Sequence, residues 1–341
     1  MTRFKKIVVT GGGGYVGSAL VPYLIVQGYE VKVLDLFLYG EEGLNEANGS
    51  PLLKKVKMDI RDSQRLRKEL AGMDAVIHLA CISNDPSFEL NPRLGKSINY
   101  DAFPALLEAV REGGVKRFVY ASSSSVYGVK KESHVTEEAS CEPFTDYSKY
   151  KMLCEETLRS ADMGACEWTV IRPATVCGYA PRMRLDLTVN ILTIHALARK
   201  EITVYGGGQL RPNIHIRDMI ELYRILLEAP SEKIHRETFN AGYENETVMK
   251  LAEKVKEEVG DPSVMIRVEP TDDHRSYHID SEKIKRVLDF TPRHTIPDAI
   301  RSICDAFREG RMPNPLTDAR YYNIQTMKQM NLSEQPIWVD A

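Results

Sequence analysis

Short apolar runs alternate with longer amphipathic stretches through the first half of the chain. Lys6-Ile7-Val8-Val9-Thr10 reads as a buried strand. Residues 14–27 follow as a helix stopped by Gly28, and Val31-Lys32-Val33-Leu34-Asp35 as a second strand. The alternation continues with strands over 53–58, 75–79, 117–121 and 168–172, and helices over 62–70, 102–112 and 148–160. Strands separated by helices of this length need crossover connections, which predicts an α/β fold with a doubly wound parallel sheet. Beyond residue 172 the pattern loosens. Helices are predicted over 185–198 and 249–259, while Pro and Gly become frequent. A smaller C-terminal substrate-binding lobe fits there, set on the carboxyl ends of the strands. The predicted division is 1–172 for the sheet domain, 173–311 mainly for the lobe, and 312–341 for an irregular tail carrying Pro313, Pro315 and Pro336.

One stretch tests this reading. Residues 7–29 contain no charged side chain, long enough on paper for a membrane span. They also contain Gly11-Gly12-Gly13-Gly14 and Pro22, which would break a spanning helix and interrupt the apolar core of a signal peptide. Strand, turn and helix is the better reading. The composition agrees: 341 residues, 43% hydrophobic and 27% charged, with a net charge of −3. Such a balance excludes fibrous and disordered classes and offers no basic surface for nucleic acid or an anionic membrane. Six cysteines occur without a CxxC pair, so neither a zinc framework nor a disulfide scaffold is indicated, and a cytoplasmic location is expected.

The turn after the first strand carries candidate chemistry. Gly11, Gly14 and Gly17 are spaced GxxGxxG, with Tyr15 and Val16 between the last two. Such a turn lets backbone N–H groups approach a pyrophosphate at a helix N-terminus. Asp35 ends the second strand, where a carboxylate can accept hydrogen bonds from ribose hydroxyls and would repel a 2′-phosphate. No Arg or Lys lies between Leu34 and Gly40. A Rossmann-type domain holding NAD rather than NADP is therefore predicted. Asp59-Ile60 follows the third strand and is placed to meet the adenine, Asp59 on its amino group and Ile60 on its face; a plain turn acid is the other reading. His78 reads as a core histidine.

Tyr147 and Lys151 are four residues apart, on one face of a predicted helix. A free tyrosine, with a pKa near ~10, is a poor base at neutral pH, and a nearby ammonium favours its phenolate. Ser122-Ser123-Ser124-Ser125 follow the fifth strand and reach the carboxyl edge of the sheet. A surface helix pair and a polar loop are the plainer readings of these two elements.

Taken together these pieces resemble the extended short-chain dehydrogenase/reductases, in the NAD-dependent epimerase/dehydratase family acting on nucleotide sugars. The matching segments are Thr10-Gly11-Gly12-Gly13-Gly14-Tyr15-Val16-Gly17, Asp35, Asp59-Ile60, His78-Leu79-Ala80, Asn99, the serine run with Val126-Tyr127-Gly128, Tyr147-x3-Lys151, and the segment from Arg211 to Asp218. The resemblance implies roles. Tyr147 would be the catalytic acid/base, Lys151 would lower its pKa and hold the nicotinamide ribose, and Ser123, with Ser122 and Ser124 as fallbacks, would bond the reacting sugar hydroxyl. Leu79, Ala80 and Asn99 would line the NAD site. Arg211 and Arg275 match two arginines that meet the nucleotide phosphates. Ser83, Ser124, Thr175 and Asn190 fall where the family holds substrate. A homodimer packing helices 102–112 and 148–160 is also implied, and Ala102, Ala105, Leu106, Ala109 and Val110 could supply one stripe, Met152, Leu153 and Leu158 the other. His274 and His278 lie on a predicted loop and strand with no third partner, so a metal site is not predicted.

The reaction is narrowed by what is missing. The family's 4,6-dehydratases carry an Asp and a Glu after the catalytic hydroxyl residue; here Ser124 and Ser125 stand there. The 3,5-epimerases use a cysteine near this element, and Ser125 again takes the place. A nucleotide-sugar epimerase working through a transient keto-sugar remains, with a dehydrogenase that releases the keto-sugar as the alternative. The chain departs from the family pattern at Thr175 and Cys177, and then carries Arg182 and Arg184, in a stretch similar to bacterial GDP-heptose dehydrogenases. Either these arginines meet the nucleotide and sugar or they are solvated loop charges. A ketone reductase of the same fold and a non-catalytic NAD-binding regulatory protein are the readings from other classes.

Overall fold

The computed structural model describes residues 3–132, 134–272, 276–330 and 334. Its centre is a seven-stranded sheet. The strands are β1 (Lys6–Thr10), β2 (Glu30–Asp35), β3 (Leu53–Lys57), β4 (Ala75–His78), β5 (Arg117–Ala121) and β6 (Glu167–Pro173), joined by a strand from far downstream. Between β6 and that strand come β7 (Thr175–Cys177), β8 (Glu201–Tyr205) and β9 (Leu210–His215); the strand itself is β10 (Glu237–Ala241). The sheet order is β10-β6-β5-β4-β1-β2-β3, every neighbour parallel.

The order reverses between β1 and β4, which opens a crevice at their carboxyl ends. Thr10 sits opposite both Leu34 and His78, so the glycine turn, Asp35 and the residues after His78 meet at one edge. Both sheet faces are covered, and this makes the strands near-continuous apolar runs. Ile7 and Val9 pack with Leu20, Leu24 and Leu226 on one side, Val8 with Leu66, Leu106 and Leu158 on the other.

Local signals set the helices as read from the sequence. Asp62 caps helix Ser63–Leu70 by accepting from the Arg65 amide. Thr145 and Ser148 form a reciprocal capping box that starts helix Asp146–Ser160 just before Tyr147.

The remaining strands are β11 (Glu244–Thr247) and β12 (Met265–Glu269). β7, β9 and β11 make a small sheet, and β8 pairs with β12. Helices Thr188–Arg199, Val248–Val259 and Ile296–Arg308 pack together beside them.

Two sequence expectations are corrected. The sheet domain does not close at residue 172, because β10 pairs in register with β6 and helix Ile216–Glu228 packs on helix Tyr15–Val26. The tail is not irregular throughout: Ala319–Tyr321 forms a 3-10 turn and Asn323–Gln329 an α-helix. The dimer stripe also turns largely inward. Leu106, Ala109, Val110 and Leu158 are buried in the chain's own core, while Ala105, Met152 and Leu153 stay half-buried.

Candidate active site

Gly11 adopts φ +72°, and a Cβ there would lie 2.6 Å from the Ala80 nitrogen. A Cβ on Gly17 would lie 2.5 Å from the Gly12 Cα. The glycines thus let the turn tuck under the loop after β4 and let the helix seat against the turn. Gly14 is the N-cap of helix Tyr15–Val26 and has no side chain to occupy the space before the first turn. Asp35 accepts from the Gly13 amide at 2.8 Å and the Phe37 amide at 2.7 Å. Burial pushes its carboxyl above the usual carboxylate range, opposed by those amides.

A cavity runs along this edge. Gly11, Gly14, Tyr15, Val16, Gly17, Asp35, Ile60, Leu79, Ala80, Tyr147 and Lys151 all line it, an arrangement that fits a dinucleotide laid across the crevice. A second cavity adjoins it, lined by Ser83, Ser123, Ser124, Thr175, Arg184, Arg211 and Tyr277. Tyr147, Ser83 and Arg184 line both.

Tyr147 stands at the junction of the two cavities. Ser123 lies near its hydroxyl on the substrate side. Burial, then the nearby Cys81 and Asp85, push its phenol well above the ordinary range; the Arg184 guanidinium and the Ser123 hydroxyl act the other way. Lys151 is buried, donates to the Ala121 carbonyl at 2.6 Å, and has its ammonium 6.0 Å from the Tyr147 ring centre. His78 bonds Thr10 Oγ1 at 2.7 Å, and burial holds its imidazole down at about 3, so it is a neutral core residue, as read.

The serine run divides by function. Ser122 donates to Glu155 Oε1 at 2.6 Å, and Glu155 is gripped by Arg172 through two bonds of 3.0 and 2.7 Å. Ser123 Oγ lies 2.9 Å from Ser125 Oγ, and Ser123 lines the substrate cavity with Tyr147.

Several predicted site residues have other duties. Asp59 is buried with its carboxylate held by the Arg61 guanidinium, closest at 2.6 Å. Asn99 clips the loop after β4 by a two-way bond to the Ile82 backbone, at 2.8 and 2.9 Å. Asn190 is fully buried; it donates to the Arg184 carbonyl and Tyr15 hydroxyl and accepts from the Gly178 amide. These three support walls rather than line either cavity. Arg182 reaches the cofactor cavity instead of the substrate side, its guanidinium 3.7 Å from the Tyr39 ring centre. It also supplies, from distant sequence, a cation beside Asp35 that no residue near β2 provides. Arg184 is 8% exposed, bonded to Asp186 and Ser83, with Nη2 unpartnered. Arg182 and Arg184 are thus buried wall residues, not solvated loop charges. Arg275 and His274 lie outside the described residues. His278 bonds the Glu132 carbonyl.

Sequence reasoning missed Asn323 and Met327, which line the cofactor cavity from the tail. No periodic run there is long enough to signal a wall-forming helix.

The model of the NAD dependent epimerase/dehydratase family matches residues 7–242. The chain belongs to that family. Among curated relatives, UDP-glucose 4-epimerase of Lactobacillus helveticus is 28% identical over 329 residues, covering 86% of this chain and 94% of that protein. UDP-glucuronic acid decarboxylase 1 of Arabidopsis thaliana is 31% identical over 319 residues, covering 89% and 70%. Among solved structures, UDP-N-acetylglucosamine 4-epimerase from Methanobrevibacter ruminantium has a TM-score of 0.82 at 24% identity, covering 91% of this chain and 99% of that one. The dTDP-glucose 4,6-dehydratase DesIV from Streptomyces venezuelae, solved with NAD bound, has a TM-score of 0.81 at 24% identity, covering 89% and 97%. The family is NAD-dependent, and the glycine cradle with Asp35 fits that cofactor. Among the described residues, no helix is long and apolar enough to cross a membrane.

Proposed function

We propose that the protein is a nucleotide-sugar epimerase that works through a transient keto-sugar. The observation that carries this reading is the placement of Tyr147 at the junction of the cofactor and substrate cavities with Ser123 beside it on the substrate side, and serines at the two positions where a dehydratase needs carboxylates. When bound, NAD supplies a hydride acceptor and returns the hydride. Ser123 orients the reacting sugar hydroxyl, and Tyr147 takes its proton and later gives it back. Lys151, fixed by the Ala121 carbonyl, holds the nicotinamide ribose. Arg211 on β9, beside Tyr277, faces the substrate cavity and is assigned to the nucleotide diphosphate together with Arg275. Ser83, Ser124, Thr175 and Arg184 are assigned to the sugar end.

The test is incubation with a panel of nucleotide sugars, reading NADH absorbance and product stereochemistry together. Inverted sugar with no net NADH supports the epimerase. Stoichiometric NADH with released keto-sugar replaces it with the dehydrogenase reading, and a bound cofactor with no turnover on any sugar replaces both with a regulatory protein.

A cytoplasmic setting is part of the proposal, supported by six free cysteines, four of them buried. So is a homodimer through the outer faces of helices Phe103–Glu112 and Asp146–Ser160, supported by the half-buried Ala105, Met152 and Leu153. A monomer mass at micromolar concentration would remove it.

A further inference from the structure

The tail crosses back over the cofactor cavity. Its 3-10 turn is tied to the second half of the chain by the Leu185 amide, which donates to the Tyr321 carbonyl at 2.9 Å. Asn323 is 1% exposed, and both its side-chain polar atoms and its backbone N–H are bonded. Its Oδ1 accepts from Arg182 Nη2 at 2.6 Å, its Nδ2 donates to Ser83 Oγ at 3.0 Å, and its backbone N–H donates to Asp186 Oδ2 at 3.1 Å. One turn later Met327 is buried with Ile60, Ile82, Leu94, Ile98 and Ala102, on the wall assigned to the adenine.

Asp186 and Ser83 are also the two anchors of Arg184: Nε bonds Asp186 Oδ1 at 2.8 Å and Nη1 bonds Ser83 Oγ at 3.1 Å. The tail and the cation facing Tyr147 therefore share both supports. We propose that the segment from Ala319 to Gln329 is a clasp over the dinucleotide, and that Asn323 is the positioning residue linking its closure to the placement of Arg184 beside Tyr147. A closed clasp covers the cofactor and fixes the guanidinium at once. An open one frees the cofactor's path and leaves Arg184 with anchors that have lost a partner. The binding half rests on the dinucleotide cavity alone. The second half rests on Tyr147 being the base.

A clasp makes a kinetic demand that an ordinary contact does not. Weakening it raises the open fraction, so cofactor enters and leaves faster; losing a mere contact changes exit alone. Full-length Asn323→Ala, Met327→Ser and the exposed control Gln325→Ala are compared by stopped-flow NADH fluorescence, with melting temperature of each variant as the check on folding. NADH association and dissociation are both expected to rise roughly tenfold in the first two, the factor that one or two net hydrogen bonds represent for Asn323→Ala and that lost apolar burial represents for Met327→Ser, and neither in the control. An association rate unchanged in both variants overturns the clasp. On the turnover substrate, the limb of kcat/KM that rises with pH is expected to move to higher pH in Asn323→Ala, as Arg184 loses its fixed place, and a limb that stays overturns the link. Tyr147→Phe separates the two failures: if it keeps turnover, the assignment of the base has failed, and the NADH rates still judge the clasp.

Discussion

Ser122 and Ser123 are neighbours in sequence with different surroundings: the hydroxyl of Ser122 is locked on Glu155 at 2.6 Å, and that of Ser123 lies 2.9 Å from Ser125 Oγ on the cavity wall that Tyr147 shares. Ser123→Ala is therefore expected to lower turnover with NAD affinity kept. Ser122→Ala is expected to lower stability by about 1–3 kcal/mol, the cost of leaving a buried charged acceptor short of a partner. Turnover, NAD affinity and urea unfolding of both variants check this; equal losses of activity at equal stability would merge the two roles.

Tyr147→Phe keeps the ring and removes the ionisable oxygen. Loss of a general base costs about 10²–10⁴-fold in rate, so turnover should fall by that much while NAD binding barely changes. Lys151→Ala should impair both, because the ammonium assigned to the nicotinamide ribose also lies 6.0 Å from the Tyr147 ring centre. Near wild-type turnover in Tyr147→Phe contradicts the mechanism.

Asp35 accepts hydrogen bonds only as effectively as its charge allows. Its carboxyl is raised by burial, so the ionised form is present above that raised pKa and is lost as pH falls through it. NAD affinity should follow, strongest above that raised pKa and weakening as pH falls through it. Asp35→Ala should weaken NAD by roughly 10–100-fold, the worth of hydrogen bonds to a charged group, and should flatten the acid dependence. Calorimetric titrations across pH measure both.

Glu155 and Arg172 form a buried pair at the end of β6. Removing one partner strands the other charge, so Glu155→Ala should cost about 3–5 kcal/mol by denaturant unfolding. A loss below ~1 kcal/mol would mean that water reaches Arg172.

What the sequence discloses depends on how local the cause is. The strands of the first half and the glycine cradle are legible because apolar runs and turn residues act over a few positions. Asp35 and the Tyr147–Lys151 pair are legible because their spacing is imposed by one strand and one helix. Arg182 was read on the substrate side, yet it lands over Tyr39, since its place is set by a fold-back to the Ser18 hydroxyl and Asn323 that no local pattern encodes. Asp59 and Asn99 match the family's order but spend their polar atoms on Arg61 and the Ile82 backbone, which only the packed loops reveal. β10 escaped for the same reason: Glu237–Ala241 is short, and its meaning comes from the edge of β6 that it completes.

That late strand also bears on how the chain is made. More than sixty residues separate β6 from β10. At roughly 5–20 residues per second on the ribosome, the edge of β6 stays bare for several seconds after the strand emerges. A bare parallel edge can template pairing with other chains. The nascent protein thus passes through an interval in which its nucleotide-binding half is folded enough to expose an edge but not yet able to cover it, and a fragment ending at residue 172 would stay in that state.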